Sequence, residues 1–162
     1  MPTPDFIVQL RAKIEHAELW LPGVTAIVLR GDEVLLVRRA DNREWTPVTG
    51  ICDPREHPHE TAIRECLEET GVAVNIERLL WVQAVGPVTY PNGDVASYVD
   101  TTFLCSVAAT SGPAMVGDEE NLEVKWFPVA QLPPIKPRFR EAIAHAVAGE
   151  EPGWGSRPSE VR

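Results

Sequence analysis

Three glutamates, Glu65, Glu68 and Glu69, stand close together in a segment with a helical pattern. On a helix that turns by about 100° per residue, their carboxylates share roughly one third of the circumference. Like charges spaced three and four residues apart destabilise a helix by about 0.2–0.5 kcal/mol per pair. A bound divalent cation would remove this repulsion, and carboxylate oxygens suit Mg²⁺ or Mn²⁺. The alternative is a solvated acidic surface.

The surroundings of these glutamates favour a bound cation over a solvated surface. Glu69 lies at the C-terminal end of the predicted helix, where the helix dipole disfavours anions. The chain then turns at once through Gly71, so this end of the helix is not free to fray. The loop before the helix starts from Gly50, which lets a backbone carbonyl approach closely.

The opposite face of the same helix is apolar. Ile63 and Leu67 lie near the pole opposite the glutamates, with Cys66 beside them, so we expect these three residues to face the core. Arg64 lies between the two faces, four residues before Glu68, at a spacing that favours an ion pair. This orientation turns the acidic face away from the core.

The helix must be positioned by the elements before and after it. Apolar periodicity and turn pairs such as Gly31-Asp32 and Asn92-Gly93 divide the chain. The predicted helices are 5–18, 58–71 and 138–148, the predicted strands are 24–30, 33–39, 74–85, 95–107 and 122–127, and 41–50 is an irregular connection. Because helices and strands do not alternate regularly, this order favours an α+β fold over a doubly wound parallel sheet.

Composition limits the function classes. With 162 residues, 44% of them hydrophobic, the chain suits one domain of ordinary size. Its net charge of −9 argues against a nucleic-acid polymer as partner, but not against a polyphosphate, because a divalent cation bridges acidic groups. No apolar run approaches the roughly 20 residues that span a bilayer, and the N-terminus lacks a signal-peptide pattern. The three cysteines lack metal-ligand spacing and indicate free thiols in a reducing cytoplasm.

The segment from Gly50 to Val72 carries a family signature. Five residues separate Gly50 from Glu56, and seven more lead to Arg64-Glu65-Cys66-Leu67-Glu68-Glu69-Thr70-Gly71-Val72. This spacing resembles the complete Nudix box (50–72) of the Nudix hydrolases, also called MutT-type proteins. Two positions depart from the common pattern, because Cys66 occupies a hydrophobic position and Thr49-Gly50 replaces a frequent Gly-Gly pair.

The resemblance implies a single Nudix domain over residues 1–148 and a fold. That fold is α+β, with a mixed β-sheet sandwiched between helices (α/β/α). Residues 149–162 are rich in Gly, Pro and charge, which predicts a flexible C-terminal tail. Exposed apolar residues around the helix at 5–18 make a homodimer plausible.

The resemblance also implies a reaction and its metal. Nudix hydrolases cleave a nucleoside diphosphate linked to another moiety and use Mg²⁺ or Mn²⁺. By this resemblance Glu65 and Glu69 bind the metal, with Glu68 and the carbonyl of Thr49 as further ligands. Such a metal polarises phosphoryl oxygens and acidifies a water molecule.

One carboxylate must accept the proton of the attacking water. In some family members this residue lies in the box, which makes Glu65 the candidate. In others it lies in a loop before a later strand, here 118–120, where Glu120 is our choice and a solvated acidic turn is the alternative. Arg64 and Glu56 are expected to form an ion pair that holds the loop against the helix.

Residues outside the box are candidates for binding the substrate. Arg39 follows a predicted strand where family members often contact a phosphate, and a guanidinium suits bidentate phosphate binding, although an ordinary surface Arg is the alternative. Tyr90 and Trp45 are candidates for stacking on a base or ribose, although aromatic residues more often belong to the core.

The sequence leaves the substrate open. Pro87 and Tyr90 follow Val72 at distances seen in some ADP-ribose hydrolases and in some diadenosine polyphosphate hydrolases, respectively. We favour ADP-ribose or a similar nucleoside diphosphate derivative. Nucleoside triphosphates and diadenosine polyphosphates are alternative substrates, and a non-catalytic nucleotide-binding module is an alternative function.

Overall fold

The computed structural model describes residues 3–153 of the chain. It contains a mixed sheet of seven strands with helices on both faces, which confirms the predicted α+β fold. The helices are α1 (Asp5–Ile14), α2 (Pro58–Thr70) and α3 (Pro137–Ala148), and a 3₁₀ turn spans Val129–Gln131. The strands are β1 (Leu19–Arg30), β2 (Glu33–Arg39), β3 (Trp45–Thr46), β4 (Val48–Ile51), β5 (Val74–Thr89), β6 (Val95–Val107) and β7 (Asn121–Pro128).

The long strand β1 organises the sheet. It pairs in parallel with β6 along most of its length and antiparallel with β2 and β4. β5 extends the sheet beyond β6, and β3 and β7 both pair with β2. The four residues of β4 lie opposite Gly23–Ala26 of β1, which brings Thr49 and Gly50 beneath α2.

Helices cover the sheet on both faces. On one face Val24 and Val28 of β1 pack with Cys66 of α2. On the other face Ile27 of β1 packs with Ile143 of α3. Because successive side chains of a strand point to opposite faces, β1 and β2 are buried almost continuously. The two covered strands therefore give the loops at their ends a rigid support.

The predicted elements are confirmed, with differences at their ends. The strands at 33–39 and 95–107 have the predicted bounds. The predicted helix 5–18 ends at Ile14, and Ile7 is its buried residue, whereas Leu10 and Ile14 are exposed. In α3, Phe139 and Ile143 are buried, whereas Val147 is exposed. The prediction of an irregular connection over 41–50 is wrong, because β3 and β4 form there through pairing with distant strands.

The predicted core face of α2 is wrong. Ile63 is 37% exposed and Leu67 is 52% exposed, whereas Glu65 and Glu69 are each only 3% exposed. Cys66 is buried as predicted. The small side chains of α2 allow it to approach the sheet closely, and the two buried glutamates lie beside them on the same inward side. The helical wheel separates the faces of a helix correctly, but it does not decide which face meets the sheet.

The C-terminal part of the described chain returns to the sheet. Gly149 ends α3 in a left-handed conformation, with φ of 69°. The backbone N–H of Gly153 donates a hydrogen bond to the carbonyl of Leu80 at 2.8 Å. Residues 154–162, with Trp154 and most of the predicted tail, lie outside the described residues. Between residues 3 and 153, none of the helices combines the length and apolarity that a membrane crossing requires.

Candidate active site

The inward face of α2 borders a cleft of about 1040 Å³. Glu65 and Glu69, one helical turn apart, both line this cleft while remaining almost inaccessible to solvent. The side chain of Glu68 is 42% exposed and is not among the residues that line the cleft. Two of the three predicted metal-binding carboxylates are therefore brought together at the cleft, and the third is not part of its lining.

Gly50 of β4 makes room for Glu65. A Cβ atom at this position would lie 2.5 Å from Cδ and Oε1 of Glu65, much closer than real contacts allow. The glycine of the signature thus lets the carboxylate lie directly against the backbone of β4. Thr49, whose carbonyl is the further predicted ligand, also lines the cleft.

Asn121 holds the second buried carboxylate. Its side-chain amide nitrogen donates a hydrogen bond to Oε2 of Glu69 at 3.0 Å, and Asn121 itself is 5% exposed. The amide oxygen of Asn121 is buried without a hydrogen-bond partner among the described residues. Asn121 is not predictable from the sequence, because only its position just before a strand distinguishes it from other polar loop residues.

The two buried glutamates repel each other in a poorly solvated place. Burial raises the pKa of Glu65 to about 7. Burial, together with the nearby carboxylate of Glu65, raises the pKa of Glu69 to about 8. Near neutral pH, a proton or a cation must therefore neutralise part of this pair.

Arg64 connects the helix to the preceding loop. Its Nε and one terminal nitrogen donate to the two carboxylate oxygens of Glu56, each at 2.8 Å. The other terminal nitrogen donates to Glu65 at 2.9 Å and to Glu68 at 3.1 Å. Glu56 also accepts a hydrogen bond from the hydroxyl of Thr61 at 2.7 Å. These bonds, led by those from Arg64, lower the pKa of Glu56 to about 2.

The remaining predicted site residues separate into two groups. Arg39, Tyr90 and Glu120 line the cleft. Trp45 is not brought to the cleft, because its ring packs edge-on against Phe127 with centroids 4.8 Å apart and borders a separate, smaller pocket. The predicted stacking role of Trp45 therefore has no support from its position.

Arg39 and Glu120 approach each other across the end of β2. The guanidinium of Arg39 donates to the carboxylate of Asp41 at 3.0 and 3.1 Å. The carbonyl of Glu120 accepts a hydrogen bond from the backbone N–H of Ala40 at 2.7 Å. The loop before β7 is thus tied to the end of β2, where its acidic side chains face the cleft.

The residues of the cleft suit a hard divalent cation. Within residues 3–153, no three His, Cys, Asp or Glu side chains already converge as a complete metal site. However, the space opened by Gly50 and the oxygen donors of Glu65 and Glu69 match the chemistry that Mg²⁺ and Mn²⁺ prefer. The donor set therefore fits the predicted metal.

Comparison with known proteins finds relatives that match most of the chain. A family model described as the NUDIX domain matches residues 19–147. The chain is 30% identical over 115 residues to a Bacillus subtilis (strain 168) protein provisionally named ADP-ribose pyrophosphatase YjhB. This match covers 71% of the present chain and 53% of YjhB. The chain is also 31% identical over 116 residues to a protein of the same organism that is provisionally named 8-oxo-dGTP diphosphatase. This match covers 71% of each of the two chains. The chain thus spans about half the length of YjhB.

The fold also matches solved structures. The crystal structure of a UDP-X diphosphatase superimposes with a TM-score of 0.67 at 20% sequence identity. This match covers 93% of the present chain and 73% of the other. At this identity the comparison supports the fold alone.

The ion pair between Arg64 and Glu56 predicts a pH-dependent stability. A carboxylate with an ordinary pKa of 4.5 that falls to about 2 in the folded state stabilises the protein above pH 4.5, and this contribution is lost as the pH falls towards 2. We expect Glu56→Gln to lower the free energy of unfolding by about 1–2 kcal/mol at pH 7, since partial exposure screens the pair. Urea denaturation at pH 7, 4 and 3 measures this difference, which should shrink as the solution becomes more acidic.

Glu123→Gln is the matched control for this prediction. Glu123 pairs with Arg38 at 2.7 Å on the surface, where both side chains are well exposed. Its loss should cost less than about 1 kcal/mol. A Glu56→Gln effect that stayed constant from pH 7 to pH 3 would contradict the role given to the ion pair.

The close approach of Gly50 to Glu65 yields a second prediction. Gly50→Ala should displace the Glu65 carboxylate and weaken Mg²⁺ or Mn²⁺ binding by roughly 10- to 100-fold, while the strand still forms. Calorimetric titration with Mn²⁺ measures the affinity, and circular dichroism checks the fold. Gly112→Ala is the control, because no atom of the described residues, apart from the chain neighbours of Gly112, lies within 4 Å of its added Cβ. Equal affinities of both variants would rule out the proposed position of the metal ligand.

Proposed function

The chain belongs to the Nudix family of hydrolases, and we propose that it hydrolyses a pyrophosphate bond in a nucleoside diphosphate derivative with the help of Mg²⁺ or Mn²⁺. The observation that carries this proposal is the pair of buried carboxylates, Glu65 and Glu69, at the wall of a nucleotide-sized cleft. Two buried like charges destabilise a fold unless another charge neutralises them, and a divalent cation does so while leaving the carboxylates ionised.

We assign the metal ligands to the inward face of α2 and to β4. Glu65 and Glu69 would hold the cation, with the carbonyl of Thr49 and the carboxylate of Glu68 as further donors. When bound, the cation supplies charge neutralisation at the phosphoryl oxygens and lowers the pKa of water. Arg64 and Glu56 act as positioning residues, because their hydrogen bonds fix the orientation of the Glu65 and Glu68 side chains.

A carboxylate of the cleft accepts the proton from the water that attacks phosphorus. As the new phosphorus–oxygen bond forms, the bridging phosphorus–oxygen bond breaks, and the leaving phosphate takes the electron pair. Glu65 and Glu120 are the two candidates for this base. We favour Glu120, because Glu65 already accepts a hydrogen bond from Arg64 and would be engaged as a metal ligand.

Arg39 and Tyr90 are proposed to bind the substrate. Burial lowers the pKa of Arg39, but its hydrogen bonds to Asp41, together with the nearby charges of Glu120 and Glu69, raise the pKa above its ordinary value. Arg39 therefore stands beside the acidic part of the cleft, where a substrate phosphate would approach the cation. Tyr90 lies with Tyr98 at the apolar part of the cleft, and the two phenol hydroxyls contact each other.

Names of related proteins support a nucleotide substrate but diverge on its identity. One relative carries the name of an ADP-ribose pyrophosphatase and another that of an 8-oxo-dGTP diphosphatase. We favour ADP-ribose or a similar compound for this chain, with nucleoside triphosphates and diadenosine polyphosphates as alternatives. A non-catalytic nucleotide-binding role is the competing function class.

We further propose that the protein acts on small molecules in the cytoplasm. The net charge of −9 disfavours a nucleic-acid polymer as substrate. All three cysteines are buried and free, which suits a reducing compartment. A homodimer stays a prediction that rests on exposed apolar residues such as Val8 and Trp20.

A panel of nucleotides tests the reaction and its substrate. We expect Mg²⁺-dependent cleavage of ADP-ribose in preference to 8-oxo-dGTP, dGTP and diadenosine polyphosphates. Mass spectrometry of products formed in heavy-oxygen water identifies the phosphorus that was attacked. Glu69→Gln should lower kcat by roughly 100-fold or more while the protein remains folded.

Glu60→Gln is the matched control on the same helix, because Glu60 is exposed, does not line the cleft, and can be replaced by Gln in its capping role. It should retain full activity. A different result would point to the non-catalytic alternative. In that case a nucleotide would raise the melting temperature of the wild-type protein, but the protein would cleave none of the nucleotides in the panel.

The identity of the base is tested separately. Glu120→Gln should lower kcat by roughly 10²- to 10⁴-fold, yet leave the increase in melting temperature on adding Mg²⁺ unchanged. Glu123→Gln is the control, since Glu123 pairs with Arg38 on the surface of β7 and is not among the residues that line the cleft. Glu120 is not the base if Glu120→Gln retains activity, and Glu65 is then the base if Glu65→Gln loses activity while keeping its Mg²⁺-dependent stabilisation.

A further inference from the structure

Four basic residues of the described chain line the main cleft. They are Arg11, Arg39, Lys136 and Arg138. An anionic ligand gains most from a cation whose N–H donors are still available, because a cation already paired with protein groups has to give up those bonds. The hydrogen bonds of each residue therefore indicate which of them is prepared for a ligand.

Three of the four cations are engaged by the protein itself. Arg39 donates two hydrogen bonds to the carboxylate of Asp41. Lys136 pairs with Glu44 at 3.2 Å. Arg11 donates to three backbone carbonyl oxygens near the start of the sheet. These contacts account for the position of each side chain without a ligand.

Arg138 is different, although it is largely buried. Its side chain is 21% exposed and its guanidinium lies over the ring of Phe139, 3.9 Å from the centroid. The nearest carboxylate is that of Asp100, whose Oδ2 lies 4.0 Å from a terminal nitrogen of Arg138, too far for a hydrogen bond. Within residues 3–153, no acceptor forms a hydrogen bond with this guanidinium.

The environment of Asp100 explains why the donors of Arg138 stay available. Asp100 is 5% exposed and accepts hydrogen bonds from two hydroxyls, that of Thr25 at 2.8 Å and that of Thr102 at 2.8 Å. Its carboxylate is therefore satisfied by neutral donors and attracts Arg138 only through its charge. Burial lowers the pKa of Arg138, and the charge of Asp100 offsets this in part.

Arg39 and Arg138 differ in the acidic groups that act on them. The charges that act on Arg39 include those of Glu69 and Glu120, whereas those that act on Arg138 are Asp100 and the phenols of Tyr90 and Tyr98. The two tyrosines pack with an apolar cluster that is covered by α1. Arg39 thus lies near the acidic side chains and also near Tyr98, whereas Arg138 lies beside Asp100 and the two tyrosines.

We propose that Arg138 binds the phosphate that is attached to the nucleoside of the substrate, with the sugar and base beside the tyrosines. This inference rests on the proposed function and adds the residue that selects for a nucleotide. A guanidinium with free, planar N–H donors suits two phosphate oxygens at once. A ligand that consists of a nucleoside alone offers no such anion.

The test compares AMP with adenosine on metal-free protein in EDTA, by calorimetry. Wild-type protein should bind AMP more tightly than adenosine. Arg138→Met should weaken AMP binding by roughly 10- to 100-fold and leave adenosine binding unchanged. Arg138→Lys keeps the charge without the planar pair of donors, so its affinity for AMP should lie between that of the wild type and that of Arg138→Met.

The control variant is Arg140→Met, because Arg140 is exposed on the same helix and does not line the cleft. Its AMP affinity should equal that of the wild type. Circular dichroism and the melting temperature establish that each variant is folded, and Arg138→Lys provides the comparison if Arg138→Met does not fold. With the substrate identified by the panel, Arg138→Met should raise KM and leave kcat little changed.

Two results would overturn the proposal. One is a wild-type protein that binds adenosine as well as AMP, and the other is an Arg138→Met or Arg138→Lys variant that binds AMP as tightly as the wild type. Failure of the proposed function is distinguishable, because it would appear as absent hydrolysis in wild-type protein while the preference for AMP and its dependence on Arg138 persist.

Discussion

The burial of two acidic side chains on the inward face of one helix is the constraint on which the rest of the site depends. Removing a carboxylate from water costs several kcal/mol unless other charges and hydrogen bonds compensate. Here Arg64 donates to Glu65, the amide of Asn121 donates to Glu69, and Gly50 leaves space for the first of these carboxylates. These contacts offset only part of the cost of burying the two carboxylates, since the pKa values of both carboxyls remain raised. A site that is left short of positive charge in this way is suited to attract a divalent cation.

The sheet gives this arrangement its rigidity. Strands β1 and β2 are buried on both faces, so their ends cannot move without disturbing two packed layers. Strand β4 has only four residues, yet its pairing with β1 sets the distance between Gly50 and α2. The loop before β7 is tied to β2 by the hydrogen bond from Ala40 to Glu120. Functional side chains on loops are therefore held by hydrogen bonds to the ends of rigid strands.

Charge is distributed unevenly over a protein that is acidic as a whole. Acidic side chains line the cleft at α2, at the loop before β7 and elsewhere, but four basic side chains also line it, so an anionic ligand meets local positive charge at these despite the net charge of −9. Arg39 is paired with Asp41 and stands near the acidic wall. Arg138 keeps its donors available beside two tyrosines, because Asp100 is satisfied by threonine hydroxyls. A ligand with a charged phosphate part and an aromatic base would match these cations and the neighbouring tyrosines.

The sequence by itself determined the signature at 50–72, the order of the long strands and helices, and the α+β class, because periodicity and spacing are local properties of the chain. It also indicated the pairing of Arg64 with Glu56 through the family resemblance. It did not decide which face of α2 turns inward, since a periodic pattern defines the faces of a helix but not what packs against them. The packing of Trp45 on Phe127, the bond from Asn121 to Glu69 and the position of Arg138 were decided by the tertiary structure alone. Each of these joins residues far apart in the chain, and only the folded sheet brings such residues together.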